Sequence, residues 1–294
     1  LGPVTARSLV LSAERRFKRA RLFYGHGTDN ARDEAVFLVF HALGYAFDCP
    51  DSLIDTPLAP PAIAAVEALV DARIARRCPA AYLTGRMWFA GHEFAVDENV
   101  LIPRSPIGEL IRQSFAPWVE APEVTRVLDI GTGSGCIAVA AAHAFPAAEV
   151  DATDISKAAL AVARRNVTAH ELQNRVYLHE ADLFPAREAV YDLILANPPY
   201  VPESERQDLP AEYLHEPALA LFAADEGLAL VKRILSGALP RLSENGILAL
   251  DVGGSWPALE AAYPRFPFLW VDLQHGGDGI TVITRAELAR LPLQ

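Results

Sequence analysis

Apolar positions in the first part of the chain recur at intervals of three and four. Leu9, Ala13, Phe17 and Ala20 follow this spacing with Arg and Lys between them, the pattern of a helix with one inward face. Gly25-His26-Gly27-Thr28-Asp29-Asn30 is turn chemistry. A second helix is predicted after Asn30, carrying Ala35, Leu38, Val39 and Ala42 toward a core. Pro50, Pro57, Pro60 and Pro61 punctuate the next stretch, and a third helix is predicted over 62–77, ended by Cys78-Pro79. Residues 1–79 are therefore expected to form a small all-helical module.

The pattern changes after Tyr82. Residues 87–96 read as two short strands around Gly91, a hairpin within a linker over 80–104. Ser105-Pro106 then opens a helix, since serine caps and proline suits the first helical position. Beyond Arg126 strand and helix alternate. Strands are predicted over 127–130, 149–153, 176–179, 191–196 and 246–252, with helices over 136–145, 157–170 and 227–242. Two last strands, 268–273 and 279–284, are expected on either side of Gly276-Gly277. Such alternation implies an α/β fold with a largely parallel, doubly wound sheet.

Length and composition fit this picture. The 294 residues suffice for one large domain or two ordinary ones, and 51% apolar with 21% charged residues describes a globular chain with a sizeable core. No apolar run reaches the ~18 residues that a membrane helix needs; the richest, Cys136 to Ala142, is followed by His143 and broken by Pro146. The start lacks the features of a secretion signal, and Leu1 is not an initiator residue, so trimming or processing is expected there. Cys49, Cys78 and Cys136 are odd in number and far apart, which favours a reducing cytoplasm over a disulfide framework or zinc site. A net charge of −11 argues against binding naked DNA and is compatible with a basic protein partner.

Four motifs carry candidate chemistry. In Val127-Leu128-Asp129-Ile130-Gly131-Thr132-Gly133-Ser134-Gly135, a buried strand ends in an acid and a turn with glycine at alternate positions. Gly131, Gly133 and Gly135 let the backbone bend sharply and a ligand approach it, while the following helix points free N–H groups at that ligand. The G-x-G-x-G spacing differs from the G-x-G-x-x-G of dinucleotide sites, and Asp129 suits a cationic ligand bearing an amino group better than a diphosphate. Asp154, about twenty residues on, stands where an acid would accept from both hydroxyls of a ribose; the alternative is a helix-capping aspartate, and the two roles can coexist. Asp182-Leu183-Phe184 could accept from an adenine amino group at Asp182 and cover a ring face with Leu183, or be a surface turn. Asn197-Pro198-Pro199-Tyr200 follows the apolar strand Leu193 to Ala196. Its prolines make a rigid turn lacking N–H donors. The Asn197 side-chain oxygen and the Pro198 carbonyl could grip both hydrogens of an –NH₂ group, with Tyr200 as an apolar wall.

Together Asp129 to Gly135, Asp154 and Asn197 to Tyr200 resemble the Rossmann-like class I methyltransferases that act on planar amide or amine nitrogens. That grouping includes the DNA adenine-amino methyltransferases and the HemK-like glutamine methyltransferases. Tyr82-Leu83-Thr84-Gly85 with Trp88-Phe89, Leu101-Ile102-Pro103-Arg104, and His215 to Leu221 followed by Gly227-Leu228 resemble the HemK-like side. Phe23 to Ala31 with Asp33-Glu34-Ala35, and Ile102 to Pro106, resemble the branch acting on a glutamine of the large-subunit ribosomal protein L-three, whereas a sister branch acts on peptide release factors. The resemblance implies S-adenosyl-L-methionine as cofactor, held by Asp129, Gly131, Thr132, Gly133, Gly135, Asp154, Ile155, Asp182, Leu183 and Asn197. It implies catalysis by Asn197, Pro198 and Tyr200, substrate contacts from Asn197, Pro198, Pro199 and Tyr200, and no metal. It further implies a helical substrate-recognition domain over 1–79, a hairpin linker over 80–104 and a methyltransferase domain over 105–294, working in the cytoplasm on a ribosomal protein, free or in an assembling large subunit. Glu226 stands where the family has aspartate, and Ala223-Ala224 occupy a turn that commonly contains glycine.

Three other readings remain beside this one: methylation of release factors, methylation of DNA adenine, which the charge and the lack of a basic recognition region oppose, and an inactive ribosome-assembly factor. No dedicated catalytic histidine is expected, and none of the eight histidines stands out as part of a metal site. His26 is assigned a structural or partner-contact role ahead of a chemical one. Arg104 either holds the linker or approaches the cofactor. Trp88, Phe89 and Cys136 are read as packing.

Overall fold

The computed structural model describes residues 3–292; residues 1–2 and 293–294, the ends of the outer expected domains, lie outside the described residues. The chain divides into two compact units. The first runs to Met87 and also takes in Pro210–His215. It holds α1 (Ala6–Ala20), α2 (Ala31–Leu43), α3 (Asp51–Ile54), α4 (Pro60–Arg76) and α5 (Ala80–Thr84). Thr5 and Ser8 cap the start of α1 reciprocally, and the Asn30 side chain accepts from the Arg32 and Asp33 amides to start α2. Helix α4 begins at Pro60 rather than Ala62. The two prolines open it instead of preceding it, because the first turn has no use for their missing N–H groups. Leu9, Ala13, Phe17, Leu38, Val39, Val66 and Val70 are buried.

Charge is buried in this unit as well. Arg73, 1% exposed, donates from Nε to Glu34 Oε1 (2.7 Å) and from its terminal nitrogens to the Phe23 carbonyl (2.9 Å) and Glu212 Oε1 (3.4 Å). Glu34 also accepts from Thr28 Oγ1 (3.1 Å) and Glu212 from the Phe23 amide (3.0 Å). The loop from Phe23 to Asn30 is thus laced to α2, α4 and the 210–215 segment. Within it the His26 ring lies 4.5 Å from that of Tyr213. A Cβ on Gly27 would stand 2.1 Å from Met87 Cε, which explains glycine there.

The second unit covers Trp88–Leu209 and Glu216–Gln294. A hairpin of β1 (Arg86–Phe89) and β2 (His92–Ala95) leads to α6 (Ile107–Arg112). There follow β3 (Arg126–Ile130), α7 (Cys136–Ala144), β4 (Glu149–Asp154), α8 (Lys157–Ala169), β5 (Val176–Glu180) and β6 (Tyr191–Ala196). The short strands β7 (Val201–Pro202) and β8 (Phe222–Ala223) pair with each other and flank α9 (Ala218–Leu221). Last come α10 (Ala229–Ala238), β9 (Leu242–Asp251), α11 (Trp256–Ala262), β10 (Ile280–Thr284) and α12 (Arg285–Leu288). The main sheet has the order β10-β9-β6-β3-β4-β5, and only β10 runs antiparallel. Its strands are buried on both faces. Val127, Leu193, Leu195, Ile247 and Val282 join the core containing α6 and α7, while Leu128, Ile194, Leu248, Leu250 and Ile283 join the core containing α10 and α11. That two-sided burial explains why these strands read as continuous apolar runs. This is the largely parallel, doubly wound α/β sheet expected from the sequence.

Two further expectations are corrected. Helix α10 ends at Ala238, because Pro240 cannot continue it, and β9 starts at Leu242. Residues 268–273 form no strand. They make a single bridge, Trp270 to Thr281, and Phe266, Phe268 and Trp270 pack toward the core instead. Beyond them the Gln274 and His275 amides donate to the Glu109 carboxylate (2.8 and 3.2 Å) rather than to a neighbouring strand.

Candidate functional site

The strand order reverses between β3 and β6: the chain winds from β3 to β4 and β5 on one side, then returns to place β6 on the other. Ligands of doubly wound sheets bind at the carboxyl ends of the strands beside such a switch point. A cavity of about 290 Å³ opens there. The turns after β3, β4, β5 and β6 line it, together with residues 99–105 and Pro217, Leu219 and Ala220.

Gly131 and Gly133, both with positive φ, border the cavity, and a Cβ on either would meet nothing within 4 Å. Gly135 differs: its Cβ would lie 3.2 Å from Ala163 Cβ, so it lets α7 approach α8 and does not line the cavity. Asp129 does not line it either. It is fully buried beneath the loop, where its Oδ2 accepts from Thr132 Oγ1 (2.6 Å) and the Ala138 amide (3.1 Å), tying the turn to the start of α7. Burial, only partly offset by these bonds, pushes its pKa up to about 7. Its Oδ1 is buried and has no hydrogen-bond partner; Thr132 itself is in the lining.

Asp154 closes β4 and lines the cavity. Its two oxygens accept from the Gly133 amide (2.9 Å) and the Ser156 amide (2.8 Å), and burial raises its pKa against those bonds. It is not the helix cap, because Ser156 accepts from the Ala159 amide to start α8. The Ile155 amide bonds Asp154 too, and a carboxylate with about four acceptor positions keeps capacity for a ligand. Ile155, 55% exposed, forms an apolar edge. Asp182 and Leu183 also line the cavity. Asp182 Oδ2 accepts from Arg233 (2.8 Å), and Leu183 sits at φ 72° with its carbonyl accepting from Thr153 Oγ1 (2.6 Å), a left-handed conformation uncommon for leucine.

After β6, Asn197, Pro198 and Pro199 face the cavity. The Asn197 Oδ1 is buried and has no hydrogen-bond partner. Tyr200 lies outside the lining: its ring packs where a Gly253 Cβ would stand, 2.4 Å away, and its carbonyl accepts from Ser255 Oγ (2.7 Å). Gly227 is equally constrained, since a Cβ there would come within 2.0 Å of that carbonyl. These contacts fix the Asn-Pro-Pro-Tyr turn from behind.

Sequence reasoning left Arg104 open and missed its partner. Its terminal nitrogens donate to Glu216 Oε1 (2.6 Å) and Oε2 (2.8 Å), and the Ile102 amide donates to Oε1 (3.0 Å). This forked pair fastens the linker along the cavity wall. Arg233 was missed too, as was the bond from Ser105 Oγ to the buried Asp251 (2.8 Å). Each joins residues far apart in sequence, with no local signature. Cys136 lines the cavity, but burial raises its thiol to about 12, so it stays neutral.

A model of the Methyltransferase small domain family matches residues 113–244. A ribosomal protein uL3 glutamine methyltransferase of Bordetella pertussis is 47% identical over 97% of this chain and 96% of its own length. One of Burkholderia pseudomallei is 44% identical, covering 97% and 95%. Among solved structures, the hMettl16 catalytic domain in complex with the MAT2A 3′UTR hairpin 1 superposes with a TM-score of 0.50 at 17% identity, covering 83% of this chain and 90% of that one. This last likeness concerns the fold alone.

Proposed function

The chain belongs to the family of ribosomal protein uL3 glutamine methyltransferases, and on that premise we propose that it transfers the methyl group of S-adenosyl-L-methionine to the side-chain amide nitrogen of a glutamine in ribosomal protein uL3. The observation that carries the reading is the buried, unpartnered Oδ1 of Asn197 in the cavity wall. A buried acceptor costs free energy until a donor reaches it, and a carboxamide –NH₂ is such a donor.

The residues present suit the cofactor. Gly131 and Gly133 leave space at the loop, Asp154 and Asp182 retain lone pairs for hydroxyl and amino groups, and Ile155 and Leu183 offer apolar edges. Bound there, S-adenosyl-L-methionine supplies an electrophilic methyl on a sulfonium centre. A carboxamide nitrogen is a poor nucleophile, because its lone pair is delocalised into the carbonyl. Asn197 Oδ1 accepts one amide hydrogen and the Pro198 carbonyl the other. Orientation of this kind can be worth about 7–11 kcal/mol in favourable cases. Both bonds strengthen as positive charge develops on the nitrogen, so they favour the transition state over the ground state. No histidine lines the cavity among the described residues, and the proton leaves after transfer. Tyr200, held by Ser255 and Gly253, keeps the turn in place. The helical unit reads the protein substrate, in the cytoplasm where ribosomes assemble.

The test is transfer of labelled methyl from S-adenosyl-L-methionine to purified uL3 and to a peptide release factor. Label on uL3 alone is expected. Label on the release factor alone would keep the chemistry and overturn the substrate; label on neither would sink both.

A further inference from the structure

His92 opens β2, His143 sits in the last turn of α7, and His170 follows α8. They are distant in sequence, but the fold brings one ring nitrogen of each within 4.8 Å of the others. We propose that these three imidazoles form a binding site for a divalent late transition-metal ion of the Zn²⁺ class, with its fourth position open to solvent.

The spacing suits such an ion. His143 Nε2 and His170 Nδ1 are 3.3 Å apart, and two nitrogens bound at ~2.0–2.1 Å in tetrahedral geometry stand about 3.3–3.4 Å from each other. The tautomer is prepared as well. His170 Nε2 lies 2.9 Å from the Glu93 carbonyl and donates to it, leaving the Nδ1 lone pair directed at the cluster. Metal-binding histidines are oriented by this kind of outer bond. His170 meets His143 edge-on at 5.3 Å, while the His92 ring lies face to face with His143 at 4.4 Å and turns about its side-chain torsions to aim a nitrogen at the same ion. Burial, with the neighbouring imidazoles, lowers the pKa of His92 and His143. All three side chains are partly exposed, which lets an ion reach them. A donor set of imidazoles alone selects against Mg²⁺ and Ca²⁺, which take oxygen ligands.

The site is separate from the methyl-transfer cavity. His143 lies seven residues beyond the cavity-lining Cys136, about 10 Å along α7. A metal there would clamp β2 to the far ends of α7 and α8, acting on stability and not on the transfer step.

The experiment titrates chelator-stripped full chain with Zn²⁺ by calorimetry and with Co²⁺ by visible absorption. One equivalent of Zn²⁺ is expected to bind. The melting temperature should rise by roughly 5–10 °C at a free concentration of a hundred times Kd. His92→Phe and His143→Phe, which keep an aromatic ring in the stack, should each weaken binding on the order of 100-fold; His275→Gln should not, and S-adenosyl-L-methionine affinity should stay unchanged throughout. No stoichiometric binding by the wild type, or binding that survives both phenylalanine substitutions, overturns the site and leaves a plain aromatic stack. Should those variants fail to fold, the Co²⁺ spectrum of the wild type decides. Tetrahedral bands from nitrogen ligands support the site, and thiolate charge-transfer bands, which would come from a cysteine, overturn it.

Discussion

Replacing Asn197 by alanine should separate catalysis from stability, with effects of opposite sign. In the folded chain its Oδ1 is a buried acceptor with nothing to accept from, a state that costs about 1–3 kcal/mol. Alanine removes that cost and some packing of a half-buried side chain. The net change should lie between zero and ~1 kcal/mol of stabilisation, or an increase of up to about 4 °C in melting temperature for a chain of this size. Turnover should move the other way. Loss of one oriented hydrogen-bonding group at a reacting centre typically lowers kcat by about 10²–10³. The glycine loop, Asp154 and Asp182 are untouched, so cofactor affinity should fall by less than about tenfold, equivalent to ~1.4 kcal/mol. Labelled-methyl transfer to uL3 at saturating cofactor, calorimetric cofactor binding and a thermal melt give the three numbers. A kcat within threefold of wild type would refute the amide-gripping role. A melting temperature lowered by more than about 5 °C, in step with activity and cofactor affinity, would make Asn197 a structural residue instead.

Asp129 predicts a pH dependence. Its folded pKa of about 7 lies above the unfolded value near 3.9, so the folded state holds the extra proton between the two. Its contribution is complete below about pH 4 and is lost as pH rises through 7. Urea denaturation of wild type and Asp129→Asn from pH 4 to 8 should therefore diverge, the wild type losing more stability; parallel curves would contradict the raised pKa. The two glycine substitutions Gly133→Ala and Gly135→Ala should differ in kind. At Gly133 the added methyl points into open space near the cofactor loop and should weaken cofactor binding with a backbone cost of about 1 kcal/mol. At Gly135 it meets Ala163 and should lower the melting temperature further. Equal effects of the two on both readouts would argue against the division of labour.

The fold was legible because its signals are local. Central strands apolar on both faces, helices with one apolar stripe and turns marked by glycine or proline all fall within short windows. The failures were equally physical. Residues 268–273 carry the apolar and aromatic content of a strand, yet their rings turn into the core and the next two amides bind Glu109. Helix α4 was expected to start late because Pro60 and Pro61 read as breakers, although a first helical turn accommodates them. The buried Arg73 with Glu34 and Glu212 could not be seen at all, since an arginine on a helix reads as solvent-facing until its partners, 39 and 139 residues away, are known.

The candidate site divides along the same line. Turns that follow a strand directly, as Gly131 to Gly133 and Asn197 to Pro199 do, are placed by the sheet itself, so reading the strand places the motif. Members of one motif hold different places in the structure. Gly135 serves helix packing, Asp129 sits beneath the loop, and Tyr200 braces its turn from outside the cavity. The parts with no local mark are pairs that fix one wall against another. Glu216 reaches Arg104 across 112 positions and Arg233 reaches Asp182 across 51. A motif can specify where a ligand's polar groups meet the backbone. It cannot specify what holds the opposite wall at the right distance, because that depends on which distant segments the fold brings alongside.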